Sequence, residues 1–444
     1  MKALLNKLTA ALPPGTVAVA GGTVVLGAAS YVHLGVAGHS LSKPDMANVS
    51  VLWTIVMSLG IGVFFPIEQE LTRIVSARVV LGQGTAPVLR RATVLTAGIL
   101  GATLLVLGLG AGPIADLLFQ GDRGLVAALG GAFTGMAVCY LTRGVLAGLG
   151  HFGAYGTQLA VDGGLRIVLA FGCALLGLHS AVAFSLVLAI APVVAMLLTL
   201  PALLRAVGPG EPIAWRELYS GLGLLVCATL LSQLVVNAAV MSTKLLAPTD
   251  SALIAALLSA LVLARVPLFV FGSLQASLLS GLTAAFTAGD RAAFWAMLRR
   301  IGVVVGALGL LGGVPATVLG PWLIEVLFNA NEPVLDRFDF FLMSAGTVAY
   351  MFAMVLGQAL MVFKRHNLQL LCWAVGTGVL LGITLIPGDV ALRVIVAYAL
   401  GSVATVLAML AALRLSFPAA AAAATGGPGQ TADTRGPGVG AVGK

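Results

Sequence analysis

The sequence predicts an all-α integral membrane protein. About twelve transmembrane helices form two parallel six-helix repeats, an N-lobe and a C-lobe, around a central cavity. Three observations predict this. The chain of 444 residues is 59% hydrophobic and only 9% charged, where a soluble domain carries about 25% charged residues to keep its surface wet. Roughly twelve segments supply the ~20 mostly apolar residues that a helix needs to cross the hydrocarbon core. The two halves of the chain also echo one another in order and orientation.

Residues 1–14 read as a short cytoplasmic amphipathic segment carrying Lys2 and Lys7. The Ala18-Val19-Ala20 triplet loosely resembles a signal cleavage site, but Pro13 and Pro14 interrupt the apolar run before it, and the run continues to Gly38. The N-lobe, 15–207, takes six predicted spans at 15–38, 46–67, 92–112, 124–147, 154–178 and 180–204. The C-lobe, 208–415, takes six more at 217–241, 250–275, 300–325, 338–363, 367–386 and 390–414. The last segment, 416–444, is rich in Ala, Gly and Pro and is expected to be a disordered cytoplasmic tail.

Charge asymmetry orders these spans. With the N-terminus in the cytoplasm, 17 Lys and Arg fall on the inner side and 5 on the outer side, with Arg166 and Arg265 left at membrane depth. This is the positive-inside pattern, and it requires an even number of spans with both termini inside. The internal echo agrees. APVLRRATVL (86–95) matches WAMLRRIGVV (295–304), and PIADLLF (113–119) matches PWLIEVLF (321–328), both displaced by about 209 residues. Six helices between the copies give both halves the same orientation, which implies a pseudo-two-fold axis along the membrane normal.

Several classes are excluded. No GxxxxGK[ST] loop is present for an ATP-driven pump and no HExxH motif for a metalloenzyme. The basic residues form no dense run of the kind that binds nucleic acid. Cys139, Cys173, Cys227 and Cys372 lie in apolar segments with no CxxC spacing, so they read as small buried hydrophobes. The five histidines (33, 39, 151, 179 and 366) are scattered near predicted helix ends and read as interfacial residues. No enzyme activity, cofactor or metal is therefore expected.

Four constellations carry charge or polarity at depth. Glu68, Glu70 and Arg73 lie in PIEQELTR (66–73), where Glu70 and Arg73 are i,i+3 neighbours able to pair while Glu68 points about 160° away. They read either as a solvated helix end or as an inner gate or coupling carboxylate. Asp162 and Arg166 are i,i+4 within the fifth span, a structural intramembrane pair. Gln233 and Asn237 stand one turn apart on the seventh span, as cavity-lining groups or interhelical glue. Arg265 stands alone in LLSALVLARVPLFVFGS (257–273), about 22 Å along its helix, with Pro267 beside it. Such an arginine needs a cavity or a partner. It reads either as an interlobe tie or as a fork for phosphate oxygens.

Two stretches carry a family resemblance. ASYVHLGVAGHSLSKPDMANVSVLWTIV (28–56) joins the first two helices by a short turn, and in GVFFPIEQELTRIVSARVVLGQG (62–84) the second continues past the membrane into the cytoplasm. Over 15–415 the chain resembles the bacterial polysaccharide-biosynthesis flippases of the multidrug/oligosaccharidyl-lipid/polysaccharide (MOP) superfamily. The resemblance implies a V-shaped pair of lobes in a bacterial inner membrane, with helices one, two, seven and eight lining the cavity. It also implies alternating access, and an undecaprenyl-pyrophosphate-linked oligosaccharide as the substrate moved outward. Glycosyltransferases or a polymerase would be the partners. Arg265, Gln233 and Asn237 would contact that substrate. The arginine cluster of related lipid II flippases is absent from helix one, which offers only Ser30, Tyr31 and His33. Those relatives also have fourteen helices, against about twelve here. Two alternatives stand beside this reading: a drug/cation antiporter of the same superfamily, which would want carboxylates deep inside a lobe, and a non-transporting scaffold of cell-wall synthesis.

Overall fold

The structure is a computed structural model that describes residues 16–246, 257, 266–328 and 335–425. Twelve long helices run through these residues, and no strand occurs among them. The N-lobe holds α1 (Thr16–Ser40), α2 (Lys43–Val80), α3 (Ala86–Leu109), α4 (Arg123–Gly148), α5 (Phe152–Leu175) and α6 (Ala181–Ala206). The C-lobe holds α7 (Leu222–Leu246), α8 (Val266–Thr287), α9 (Arg291–Phe328), α10 (Arg337–Val362), α11 (His366–Thr384) and α12 (Val390–Thr425). Eleven spans among the described residues are long and apolar enough to cross a membrane. The predicted span 250–275 lies partly outside them.

Helix starts follow the sequence. The Ser42 hydroxyl accepts from the Asp45 amide at 3.3 Å, with Pro44 in the first turn of α2. The Asp122 carboxylate accepts from the Gly124 amide at 2.7 Å to cap α4. Asp336 and Asp339 form a reciprocal capping box at the start of α10.

Several boundaries differ from the sequence reading. The helix α9 begins at Arg291 rather than near 300 and runs unbroken for 38 residues, while its N-lobe counterpart breaks at Gly110 into α3 and a short helix, Ala111–Leu118. The helix α12 continues to Thr425, so the disorder expected from 416 onward is corrected over 416–425. Ala419 to Ala424 is a run of the best helix former, and it outweighs Pro418. Residues 1–15 and 426–444, which contain the N-terminal segment and the rest of the tail, lie outside the described residues.

Two main hydrophobic cores follow the two halves. One gathers side chains from Val19 to Leu222, with Ala276 from α8; the other runs from Leu225 to Leu413. Within the N-lobe, α1 packs most extensively on α5. Small residues make this possible: a Cβ at Gly22 would strike the Gly156 carbonyl, and one at Gly163 would sit 2.8 Å from the Leu26 Cα. Ala18 abuts Gly156 and Leu26 abuts Gly163, so the two helices run parallel.

The interlobe segment 207–214 is fastened to the N-lobe. The Ala86 amide donates to the Gly208 carbonyl at 2.9 Å, and Arg78 donates to the Glu211 carbonyl at 2.8 Å. The Arg91 guanidinium lies 5.3 Å over the Trp215 ring. Gly84 and Gly210 touch backbone to backbone, a contact that no side chain could replace. At this arginine-rich end the lobes meet directly. Ser76 of α2 and Ser280 of α8 share a hydrogen bond at 2.9 Å, and Glu70 lies 3.9 Å from His366 of α11.

Candidate functional site

The helix α2 organises the site. It carries a π-helical turn at Val56–Gly60 and Pro66 in its interior, the two usual causes of a bend in a long helix. Just past Pro66, Glu68 and Glu70 are two residues apart, about 200° around the helix. One helix thus delivers two carboxylates to two compartments. Glu68 enters the N-lobe, where the Tyr155 hydroxyl donates to its Oε1 at 2.6 Å. Glu70 faces the seam between the lobes and holds Arg73 through two bonds, at 3.0 and 2.5 Å. Both carboxylates are 3% exposed, so the solvated helix end considered from the sequence is corrected: α7 and α8 of the C-lobe and α4 of the N-lobe cover this stretch.

Within the N-lobe, Tyr155, Gln158, Asp162 and Arg166 recur every three or four residues and so share one face of α5. That face meets Cys139, Thr142 and Arg143 of α4. Arg143 Nη2 donates to Asp162 Oδ2 at 3.2 Å, and Arg166 donates to both Asp162 oxygens at 2.9 and 3.3 Å. Gln158 donates to the Thr142 hydroxyl at 2.9 Å. The Arg143 guanidinium also stands 5.8 Å over the Tyr140 ring. One carboxylate therefore serves two guanidiniums, while Glu68 supplies the second negative charge nearby. All four charged groups are buried. Asp162 lies about 15 Å along α5 and Arg166 about 21 Å, near its middle.

The network has loose ends. Glu68 Oε2, Arg143 Nε, Gln158 Oε1 and both ring nitrogens of His33 are buried without a hydrogen-bond partner. His33 of α1 is 0% exposed and meets the Phe184 ring edge-on at 6.1 Å, which corrects its reading as an interfacial residue. Arg143 is corrected likewise. It sits five residues from the end of α4, where a charge count along the sequence places it on the inner side, yet the close approach of α2 and α4 at Gly144 buries it.

On the seam, Glu70, Arg73, Glu217, Ser220, Leu224, Lys364, His366 and Asn367 enclose a cavity of about 150 Å³. Of the other predicted site residues, Gln233 and Asn237 are half-buried on α7, where the Asn237 amide donates to the Gln233 carbonyl at 2.8 Å. Arg265 lies outside the described residues. The structure therefore brings together Glu68, Asp162 and Arg166 with Arg143 and Tyr155, which the sequence reading missed. The helical spacing of Tyr155, Gln158, Asp162 and Arg166 was the available signal.

Fold and site together define a multi-pass membrane protein of two six-helix lobes, one of which holds a buried ionic network. No protein-family model matches the chain, and no curated protein sequence does. Solved structures do. The chain is similar to the Vibrio cholerae MATE transporter VcmN in its bent form, with a TM-score of 0.75 at 17% identity over 92% of this chain and 96% of that one. It is similar to an outward-facing MATE family transporter of the MOP superfamily, at 0.72 and 15% over 92% and 96%. A MOP superfamily transporter from Pyrococcus furiosus, described as having a binding pocket of reverse polarity that suggests a different function, gives 0.74 and 15% over 92% and 94%. The chain has the fold of the MATE transporters.

Proposed function

We propose that this protein is an ion-coupled secondary transporter, a drug/cation antiporter, in which the buried N-lobe carboxylates carry the coupling proton. The observation that carries this reading is Asp162, held by Arg143 and Arg166, with the Glu68–Tyr155 pair beside it. Intramembrane ionisable groups cost about 2.5–3.5 kcal/mol each on the insertion scale and are retained mainly where they serve transport. With two carboxylates and two guanidiniums ionised, the network is neutral. Protonating Asp162 or Glu68 leaves one uncompensated positive charge in a low-dielectric lobe. At 10 Å and an effective dielectric of 20, that charge repels a cationic substrate by about 1.7 kcal/mol. Proton entry thus favours release of the cation, and release of the proton restores its binding. Lobe movement about the seam at Glu70, Arg73 and His366 then exchanges the side to which the cavity opens.

The likeness in fold to MATE transporters supports the antiporter over lipid-linked oligosaccharide transport. The latter reading rests on Arg265 as a pyrophosphate contact. Both are tested with the purified protein in proteoliposomes, using tetraphenylphosphonium as the cation and an undecaprenyl-pyrophosphate-linked sugar as the lipid. Under the antiporter reading, Glu68→Gln and the charge-balanced pair Asp162→Asn/Arg166→Gln abolish proton-driven cation transport. Loss of lipid binding in Arg265→Ala, with cation transport absent from the wild type, would overturn it in favour of the flippase.

A further inference from the structure

The third helix of each lobe carries an Arg-Arg pair, Arg90-Arg91 in α3 and Arg299-Arg300 in α9, and the transport chemistry uses neither. The two copies stay in register beyond the pair. Residues 92–115 and 301–324 carry no charge, and each run closes on an acid, Asp116 or Glu325, again displaced by 209 residues. Each run is long enough to cross the ~30 Å hydrocarbon core, so both pairs stand where that core meets the headgroups.

The helices that carry them are peripheral: α3 is the least buried of the described spans, and α9 is among the least. One turn past each pair, a valine on the same helical face lies open. Val94, four residues after Arg90, is 57% exposed, and Val303, four after Arg299, is 73% exposed. Arg90, Arg299 and Arg300 are themselves exposed, while Arg91 is half-buried with its guanidinium over the exposed Trp215 ring. Stacking holds that group in place and leaves its in-plane N–H donors for an acceptor. In the C-lobe, Trp295 stands one turn before Arg299. Among the described residues none of the four guanidiniums forms an ion pair or a hydrogen bond. Neither helix has an acidic residue in its first turn, and the Asp290 carboxylate, just ahead of α9, accepts from the Ala293 amide at 2.8 Å. Glu217, two residues past Trp215, lines the seam cavity. Membrane topology asks only for positive charge at this end. It does not ask for a pair at one register in both lobes, with an apolar stripe one turn away.

We infer that each Arg-Arg pair binds the headgroup of an anionic phospholipid of the inner leaflet, one lipid to each lobe. The guanidiniums donate to the phosphodiester oxygens, an acceptor geometry that suits their planar fork. The acyl chains lie against the open faces of α3 at Val94 and of α9 at Val303. Anion donors with an apolar stripe one turn deeper fit a lipid rather than a free phosphate ion, which would gain nothing from the stripe. The two sites are independent of what the protein transports. They give each lobe its own hold on the leaflet while the lobes move against one another.

The test is native mass spectrometry of the purified full-length protein, titrated with phosphatidylglycerol and, separately, with phosphatidylcholine. The wild type is expected to hold two phosphatidylglycerol molecules more tightly than any further ones, and to show no such pair with phosphatidylcholine. Arg90→Gln/Arg91→Gln and Arg299→Gln/Arg300→Gln should each lose one of the two. Its affinity should fall about thirtyfold, at about fivefold per arginine beside an anionic leaflet. The variant with all four changes should lose both. Arg90→Lys/Arg91→Lys keeps the charge and the topology and should keep its lipid. Arg205→Gln/Arg414→Gln removes the same charge from the same end and should keep both. Four results would each overturn the inference: phosphatidylcholine binding as well as phosphatidylglycerol, release of the lipid by inorganic phosphate, an equal loss in Arg205→Gln/Arg414→Gln, or glutamine variants that retain both lipids. If the glutamine variants fail to insert, the number and headgroup preference of the lipids on the wild type decide.

Discussion

Replacing Asp162 by asparagine removes the single carboxylate that two buried guanidiniums share. Arg143 and Arg166 would then both be unpaired in the lobe interior, since Glu68 is bonded to Tyr155 and to neither arginine. Breaking a buried ion pair from one side costs about 3–5 kcal/mol. For a unit of 150–250 residues each kcal/mol lowers the melting temperature by about 2–4 °C, so Asp162→Asn should melt about 6–20 °C below the wild type. The arginine variants differ in kind. In Arg166→Met or Arg143→Met, Asp162 keeps one guanidinium, and the excess negative charge rests on Glu68, which the Tyr155 hydroxyl holds. The loss is then nearer the 1.5–3 kcal/mol of hydrogen bonds to a charged group. Asp162→Asn/Arg166→Met should therefore be more stable than Asp162→Asn alone, a gain from a second mutation that independent sites do not give. Thermal unfolding of the four variants in one detergent measures the cycle. Equal losses from all three single variants, or a double variant less stable than Asp162→Asn, would refute the shared-carboxylate reasoning.

Two further predictions address the seam and the helix pairing. The Ser76 and Ser280 hydroxyls are 2.9 Å apart, so Ser76→Cys/Ser280→Cys places two thiols within disulfide reach across the lobes. Oxidation should stop the cation transport proposed above and reductant should restore it, and transport that persists in fully cross-linked protein would mean that this end need not open. A Cβ at Gly156 would strike the Ala18 carbonyl, so Gly156→Val should push α1 off α5 and destabilise the lobe by about 1–3 kcal/mol. Gly164, where a Cβ meets nothing within 4 Å, serves as the control, and equal melting shifts for the two valine variants would contradict the packing described.

The fold was largely legible because membrane spans announce themselves by length and apolarity, and because the repeat and the charge asymmetry point the same way. Local pairs were legible too: Glu70 with Arg73 and Asp162 with Arg166 are helical neighbours, and spacing alone places them together. What escaped depends on contact between distant segments. Arg143 is near a helix end, and only the packing of α4 against α2 and α5 makes it a buried partner of Asp162. Tyr155 meets Glu68 across 87 positions. His33 sits in a helix whose own sequence cannot say which side α5 will cover. The reading of lipid-linked sugar as cargo rested on the resemblance carried by residues 28–56 and 62–84, with Arg265 as its anion contact, whereas among the described residues the buried ionic chemistry is concentrated in the N-lobe.

The pairing of α1 with α5 also bears on how the chain is made. The helix α1 ends at Ser40 and α5 begins at Phe152, so α1 leaves the ribosome more than a hundred residues ahead of the surface that covers it. At about 5–20 residues per second, that delay is on the order of ten seconds. Throughout it, the glycine face and His33 have no α5 to bury them. Biogenesis therefore includes an interval in which α1 is inserted but unmatched, and insertion factors that shield its glycine face and His33 would act in that interval.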